Sequence, residues 1–200
     1  MADRKVLLVA YYFPPLGGAG VGRPLALMQG LASRGYECHV LTVKPVTYRV
    51  YESSLLEGID QSVIYRSGSF DPQRLMYLLG ARKVKSASIE KARAIAERFF
   101  PDSKIGWVRK ATRLGATLTT NKRYDAIIST SPPVSAHLVA RTLARQFNLP
   151  WIADFRDYWT AFKPEDWYSQ QHSIDRARSL LYAIEKEAAV VTSVNKSIAD

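Results

Sequence analysis

The 200-residue sequence predicts an α/β protein built on a doubly wound parallel sheet, Rossmann-like in type. Three observations predict it. Near-continuous apolar runs such as Val6-Leu7-Leu8-Val9-Ala10 suit strands buried on both faces. Those runs alternate with longer stretches of helical period. Right-handed crossovers then place the helices on both sides of one sheet.

Lys5 to Ala10 reads as the first strand. Gly20 to Ser33 reads as a helix, with Pro24 in the first turn, where a missing N–H costs nothing. Leu25, Met28, Leu31 and Ala32 share its apolar face, and Gly35 is its stop. Cys38 to Val43 is a second strand and Ser62 to Tyr65 a short third. A basic helical insert follows at about 68–122, with stripes at Leu75-Leu78-Leu79, at Ile89-Ala92-Ala96-Phe99 and at Trp107-Ala111-Leu114-Leu118. Asp125 to Ser129 is a fourth strand. Val134 to Phe147 is a helix, with Val139, Leu143 and Phe147 at four-residue spacing. Trp151 to Ala153, entered through Pro150, is a fifth strand. Ile174 to Ala188 is helical, and Val190 to Val194 is a sixth strand. Ser197 to Asp200 starts another helix without a cap, which reads as a protein that continues. The 200 residues are expected to form one domain.

Hydrophobic content of 47% and charged content of 23% are those of an ordinary globular protein. No apolar stretch reaches the length of a membrane span, and the run after Asp3-Arg4-Lys5 is too short for a signal peptide. The expected location is the cytoplasm. The lone Cys38 excludes an internal disulfide and reads as a buried thiol. Charge is uneven. Residues 66–123 hold fourteen Lys/Arg against four Asp/Glu, a surplus equal to the +10 of the whole chain. Such a local field suits an anionic partner or, more simply, a solvated helical face.

Ligands of doubly wound sheets sit beyond the carboxyl ends of the strands, where strand order reverses. With the order 3-2-1-4-5 that point lies between the first and fourth strands, so the loops leaving strands one, four and five become neighbours. They are also the three oddest loops in the chain. Pro14-Pro15-Leu16-Gly17-Gly18-Ala19-Gly20 resembles a phosphate holder, in which glycines admit backbone N–H groups and the helix start adds partial positive charge. It lacks a third glycine where Arg23 stands, and no acid follows the second strand, where Thr42-Val43-Lys44 stands. A tight turn without ligand is the structural alternative. In Thr130-Ser131-Pro132-Pro133, Ser131 is placed to cap the next helix, and His137 lies one turn in. Asp154-Phe155-Arg156-Asp157 puts three charges at the end of a buried strand, either as a salt-bridge knot or facing something polar. An arginine there suits a phosphate or sugar phosphate. The three histidines lie far apart with no metal-ligand spacing, so no metal is expected. No nucleic-acid motif is present.

Together "YYFPPLGGAGVGRPLALMQGLASRGYECHVLT", "PDSKIGWVRKATRLG", "YDAIISTSPPVSAHLVARTLARQFNLPWIADFRDYWT" and "IEKEAAVVTSV" resemble the N-terminal domain of family 4 glycosyltransferases, the retaining enzymes of GT-B fold. The resemblance implies two Rossmann-like domains with the active site between them. The N-terminal domain takes the acceptor; the C-terminal domain, absent here, grips the nucleotide-sugar. No cofactor is implied beyond that co-substrate. Gly17, Gly18, Gly20 and Arg23 would face the donor diphosphate. Arg156 and Asp157, with His137, would position the acceptor or the leaving phosphate, beside Ser131 and Asp154 as substrate contacts. Arg156 stands where other branches carry a histidine. Retaining members need no protein nucleophile, because the leaving phosphate takes the acceptor proton. The resemblance also implies an acceptor sugar on a polyprenyl diphosphate, with the basic insert docked on anionic lipid at the inner face of the membrane. A non-catalytic subunit that anchors a separate donor-binding partner fits the same residues. A second Rossmann pattern in the same gene separates the two.

Overall fold

A computed structural model describes residues 4–46, 50–71, 74, 98–156 and 170–194. Its centre is a six-stranded, wholly parallel sheet in the order β3-β2-β1-β4-β5-β6. The strands are β1 (Lys5–Val9), β2 (Glu37–Val43), β3 (Ile64–Ser67), β4 (Ala126–Ser131), β5 (Trp151–Phe155) and β6 (Val190–Ser193). Four described helices connect them: α1 (Gly22–Ala32), α2 (Ile105–Lys122), α3 (Ser135–Phe147) and α4 (Gln171–Glu187). Two short 3-10 turns, Ser53–Leu56 and Gln61–Val63, lead into β3.

β1 explains why its sequence is apolar at every position. Leu7 and Val9 face a core shared with α2, α3 and α4, while Val6 and Leu8 face the core under α1. Strand side chains alternate, so a sheet covered on both faces needs apolar residues without a break. Order reverses at β1, which pairs with β2 on one side (Val9 with Leu41) and β4 on the other (Val9 with Ser129).

The third predicted stripe lies on α2. Trp107, Ala111 and Leu118 are buried there, and Leu114 is partly buried. Trp107 is fully buried and its indole N–H donates to Ser67 Oγ at 2.7 Å. Burying a side chain of that size contributes on the order of 4–6 kcal/mol. The other two stripes lie almost wholly outside the described residues. Cys38 is buried, and desolvation pushes its thiol up to about 12.

Several boundaries differ from the sequence reading. β3 begins at Ile64 rather than Ser62, because the Asp60 side chain accepts from the Ser62 N–H and holds a 3-10 turn there. β4 and β5 run on to Ser131 and Phe155, since Thr130 pairs with Asp154 and Ser131 with Phe155. α1 starts at Gly22, after a loop in which Gly18 takes φ +92.

Candidate functional site

The three unusual loops meet. At the carboxyl ends of the strands one cleft is lined by Tyr11, Tyr12, Gly20 and Arg23 after β1, by Thr130, Ser131 and Pro132 at the end of β4, and by Arg156 after β5. It encloses about 200 Å³, part of it open to solvent.

Asp154 forms the floor. Its carboxylate is 1% exposed and accepts four hydrogen bonds. Arg23 supplies two in a fork, Nε to Oδ2 at 2.8 Å and the second from Nη2 to Oδ1. Thr130 Oγ1 donates to Oδ2 at 2.7 Å and Thr192 Oγ1 to Oδ1 at 2.8 Å. Burial alone would raise this carboxyl's pKa, but the bonds from Arg23, Thr130 and Thr192 outweigh it and hold it below the usual value. The same fork raises the pKa of Arg23. Arg23 and Asp154 thus form one ion pair that ties the start of α1 to β5.

Arg156 bridges in the other direction. Its Nη1 donates to Ala19 O at 2.6 Å, across the Gly-rich loop, and its backbone N–H continues the sheet to Ser131 O at 3.3 Å. Gly20 lies in the lining because its missing Cβ leaves room for a ring. A Cβ there would stand 3.0 Å from Tyr12 Cδ2.

Gly17 is placed elsewhere. It is buried, its N–H donates to Val50 O at 2.9 Å, and a Cβ would meet Val50 Cγ1 at 2.7 Å. Its glycine character serves close packing against residues 50–52, outside the cleft lining. Gly18 is exposed, and its positive φ suits glycine alone.

His137 lies beneath the cleft and outside its lining, 0% exposed. Ser129 Oγ accepts the Trp151 indole N–H at 2.7 Å and shares a second hydrogen bond with His137 Nδ1 at 2.7 Å. His137 Nε2 has no hydrogen-bond partner. Desolvation drives the pKa down to about 3, against a weaker opposing pull from Asp154, so the ring is neutral at pH 7. The Phe155 ring lies 4.4 Å away.

Ser131 lines the cleft but does not cap α3. The N-cap position is Val134, with no side-chain cap. Asp102, from the far end of the basic insert, does that work: Oδ2 accepts the Ser135 N–H and Oδ1 the Ser135 hydroxyl, both at 2.8 Å. Asp157 lies outside the described residues. Tyr12, Thr130 and Thr192 are not among the expected site residues, because each meets the site only through strand pairing or loop closure. The spacing of Asp102 from Lys104, whose N–H it also accepts at 2.8 Å, resembles a local turn and hides its bond to Ser135. Among the described residues no group of three or more His, Cys, Asp or Glu is placed to hold a metal. No described helix is long and apolar enough to cross a membrane.

Among solved structures the chain is similar to sucrose-phosphate synthase from Thermosynechococcus elongatus, at 14% identity and TM-score 0.54 over 94% of this chain and 42% of that one. It is also similar to SsfS6, a glycosyltransferase of Streptomyces sp. SF2575, at 13% identity and TM-score 0.50 over 96% of this chain and 50% of that one. At such identity the likeness is one of fold, and the chain spans half or less of each relative. No curated protein matches it by sequence. Residues 17–200 match the glycosyl transferase 4-like domain, a span that includes Gly20, Arg23, Thr130, Ser131, Pro132 and Arg156 of the cleft. The chain therefore belongs to the glycosyl transferase 4-like domain family.

Proposed function

We propose that this chain is the N-terminal, acceptor-binding half of a retaining, nucleotide-sugar-dependent glycosyltransferase of cell-surface polysaccharide or glycolipid synthesis. One observation carries the reading: loops as much as 137 residues apart in sequence meet at a single cleft that pairs a glycine-bearing helix start with two arginines. Part of the cleft is open to solvent, which suits one wall of a site completed by a second domain.

The chemistry follows from charge. Transfer of a sugar leaves a nucleoside diphosphate carrying extra negative charge. The N–H groups opening α1, with Gly18 and Gly20 before them, and the Arg156 guanidinium stabilise that charge as it develops. Asp154 holds Arg23 in place and keeps the cleft from carrying two uncompensated cations. The departing phosphate takes the acceptor proton, so no protein nucleophile is needed. Buried, neutral His137 supports β4 and β5 rather than touching substrate. Asp157 orients the acceptor. The acceptor is a lipid-linked sugar, and the cation surplus of the basic insert brings the domain to the anionic inner leaflet.

The test is a donor screen. The protein, with its second domain, is incubated with radiolabelled nucleotide-sugars and a lipid-linked acceptor extract, and the product's anomeric configuration is read by NMR. Transfer with retained configuration is expected. Transfer with inversion, or hydrolysis of the donor alone, would overturn the reading.

A further inference from the structure

A second group of charges lies on the other side of β1, at the carboxyl ends of β2 and β3. Arg74 and Lys104 are 7% and 4% exposed, and Arg66 is half-buried. Arg66 donates through Nη2 to Pro14 O, and Arg74 through Nη2 to Lys44 O at 2.6 Å. Each of these two guanidiniums keeps a buried Nη1 with no hydrogen-bond partner. The anion nearest to hand is Asp71, fully buried, with Oδ1 3.5 Å from Lys104 Nζ and Oδ2 accepting the Tyr11 hydroxyl at 2.6 Å. Asp102, the next acid, is committed to Ser135. Exposed Lys44 and Lys110 flank the group, Lys110 Nζ lying 3.7 Å from the Phe70 ring centroid.

Buried cations are balanced by partners or they cost stability, and an unpaired buried donor in a native protein points to a missing water or ion. Here Lys104 draws on both Asp71 and Asp102, whereas no acid offsets the desolvation of Arg66. Desolvation lowers the pKa of both Arg66 and Lys104, the mark of charge that the protein alone leaves undercompensated. We propose that the carboxyl edge of β2 and β3 is an oxyanion subsite for a phosphoryl group, with Arg66 and Arg74 as its donors. The planar guanidinium fork matches a phosphate's paired oxygens. Tyr11 joins this subsite to the β4–β5 cleft, lining the cleft and bonding Asp71. The subsite does not depend on the glycosyl-transfer reading.

The test is calorimetric titration of the complete chain with inorganic pyrophosphate and with soluble dihexanoyl phosphatidate. Binding is expected, weakened about tenfold or more in Arg66→Gln and in Arg74→Gln. A site dependent on these two arginines should survive in Arg156→Ala. Pyrophosphate binding alone assigns the subsite to free phosphates; equal arginine dependence for phosphatidate extends it to a lipid headgroup. Absence of binding, or binding lost only in Arg156→Ala, would overturn the subsite, and the latter result would still support the cleft. Thermal unfolding without anion separates a binding role from a scaffold role. Arg66→Met and Arg74→Met should hold or gain stability, having lost an unpaired buried charge. Loss of fold in both would make the arginines structural and overturn the proposal.

Discussion

Asp154 shows how a single residue settles a local question. The sequence marks it as a charged residue at the end of a buried strand, and the fold makes it the acceptor of four hydrogen bonds. Removing it leaves Arg23 unpaired over a buried floor. Asp154→Ala should cost about 3–5 kcal/mol, measured by urea unfolding at pH 7. Its folded pKa lies below the ordinary 3.8, so its contribution is full above that value and is lost as pH falls through the folded one. His137 acts in a different window. Its folded pKa of about 3 lies below the ordinary 6.5, so the unfolded chain binds the extra proton between those values. Stability should fall as pH drops below about 6.5, by up to ~1.4 kcal/mol per unit, and His137→Gln should remove that slope. A single histidine in sequence carries no sign of which role it has; here the Ser129–Trp151 relay decides it.

At the scale of elements, glycines in helices report packing that sequence hides. Gly115 faces the core from α2, where a Cβ would stand 2.5 Å from Leu143 Cδ1 and 3.0 Å from Leu41 Cδ2. Gly30 sits on α1 with only the flexible end of Arg34 at 3.6 Å. Both substitutions gain helix propensity, about 1 kcal/mol. Gly30→Ala should therefore stabilise by about 0.5–1 kcal/mol, while Gly115→Ala should lose about 1–3 kcal/mol through overpacking. Thermal melts of the two variants should move in opposite directions; a rise in both would mean that α2 and α3 pack less closely than described. Helix stripes and strand runs were legible because burial imposes a period. Caps were not: α3 depends on Asp102, which lies 33 residues before Ser135.

At the scale of the molecule, topology was the most legible feature. The order 3-2-1-4-5 follows from alternation and crossover handedness, and the structure adds β6 beyond β5. That order alone brings the loops after β1, β4 and β5 together, and the cleft lies where they meet. Its finer wiring was less legible. Gly17 serves packing, and the Asp71–Tyr11–Lys104 group assembles residues from three distant segments. The charge surplus at 66–123 bears on membrane docking. With each surface cation worth about 1 kcal/mol, the chain should float with anionic vesicles and not with neutral ones. Equal flotation with both would make the surplus a solvated face.

The central claim is that the convergent cleft meets the diphosphate during sugar transfer, and the most direct measurement is the turnover of Arg156→Ala in a protein that carries this chain together with the proposed donor-binding domain. Transfer should fall by about 100-fold or more, on the scale of losing one preorganised charge donor, with the melting temperature unchanged. Turnover at the wild-type rate would contradict the claim and remove the cleft from the chemistry.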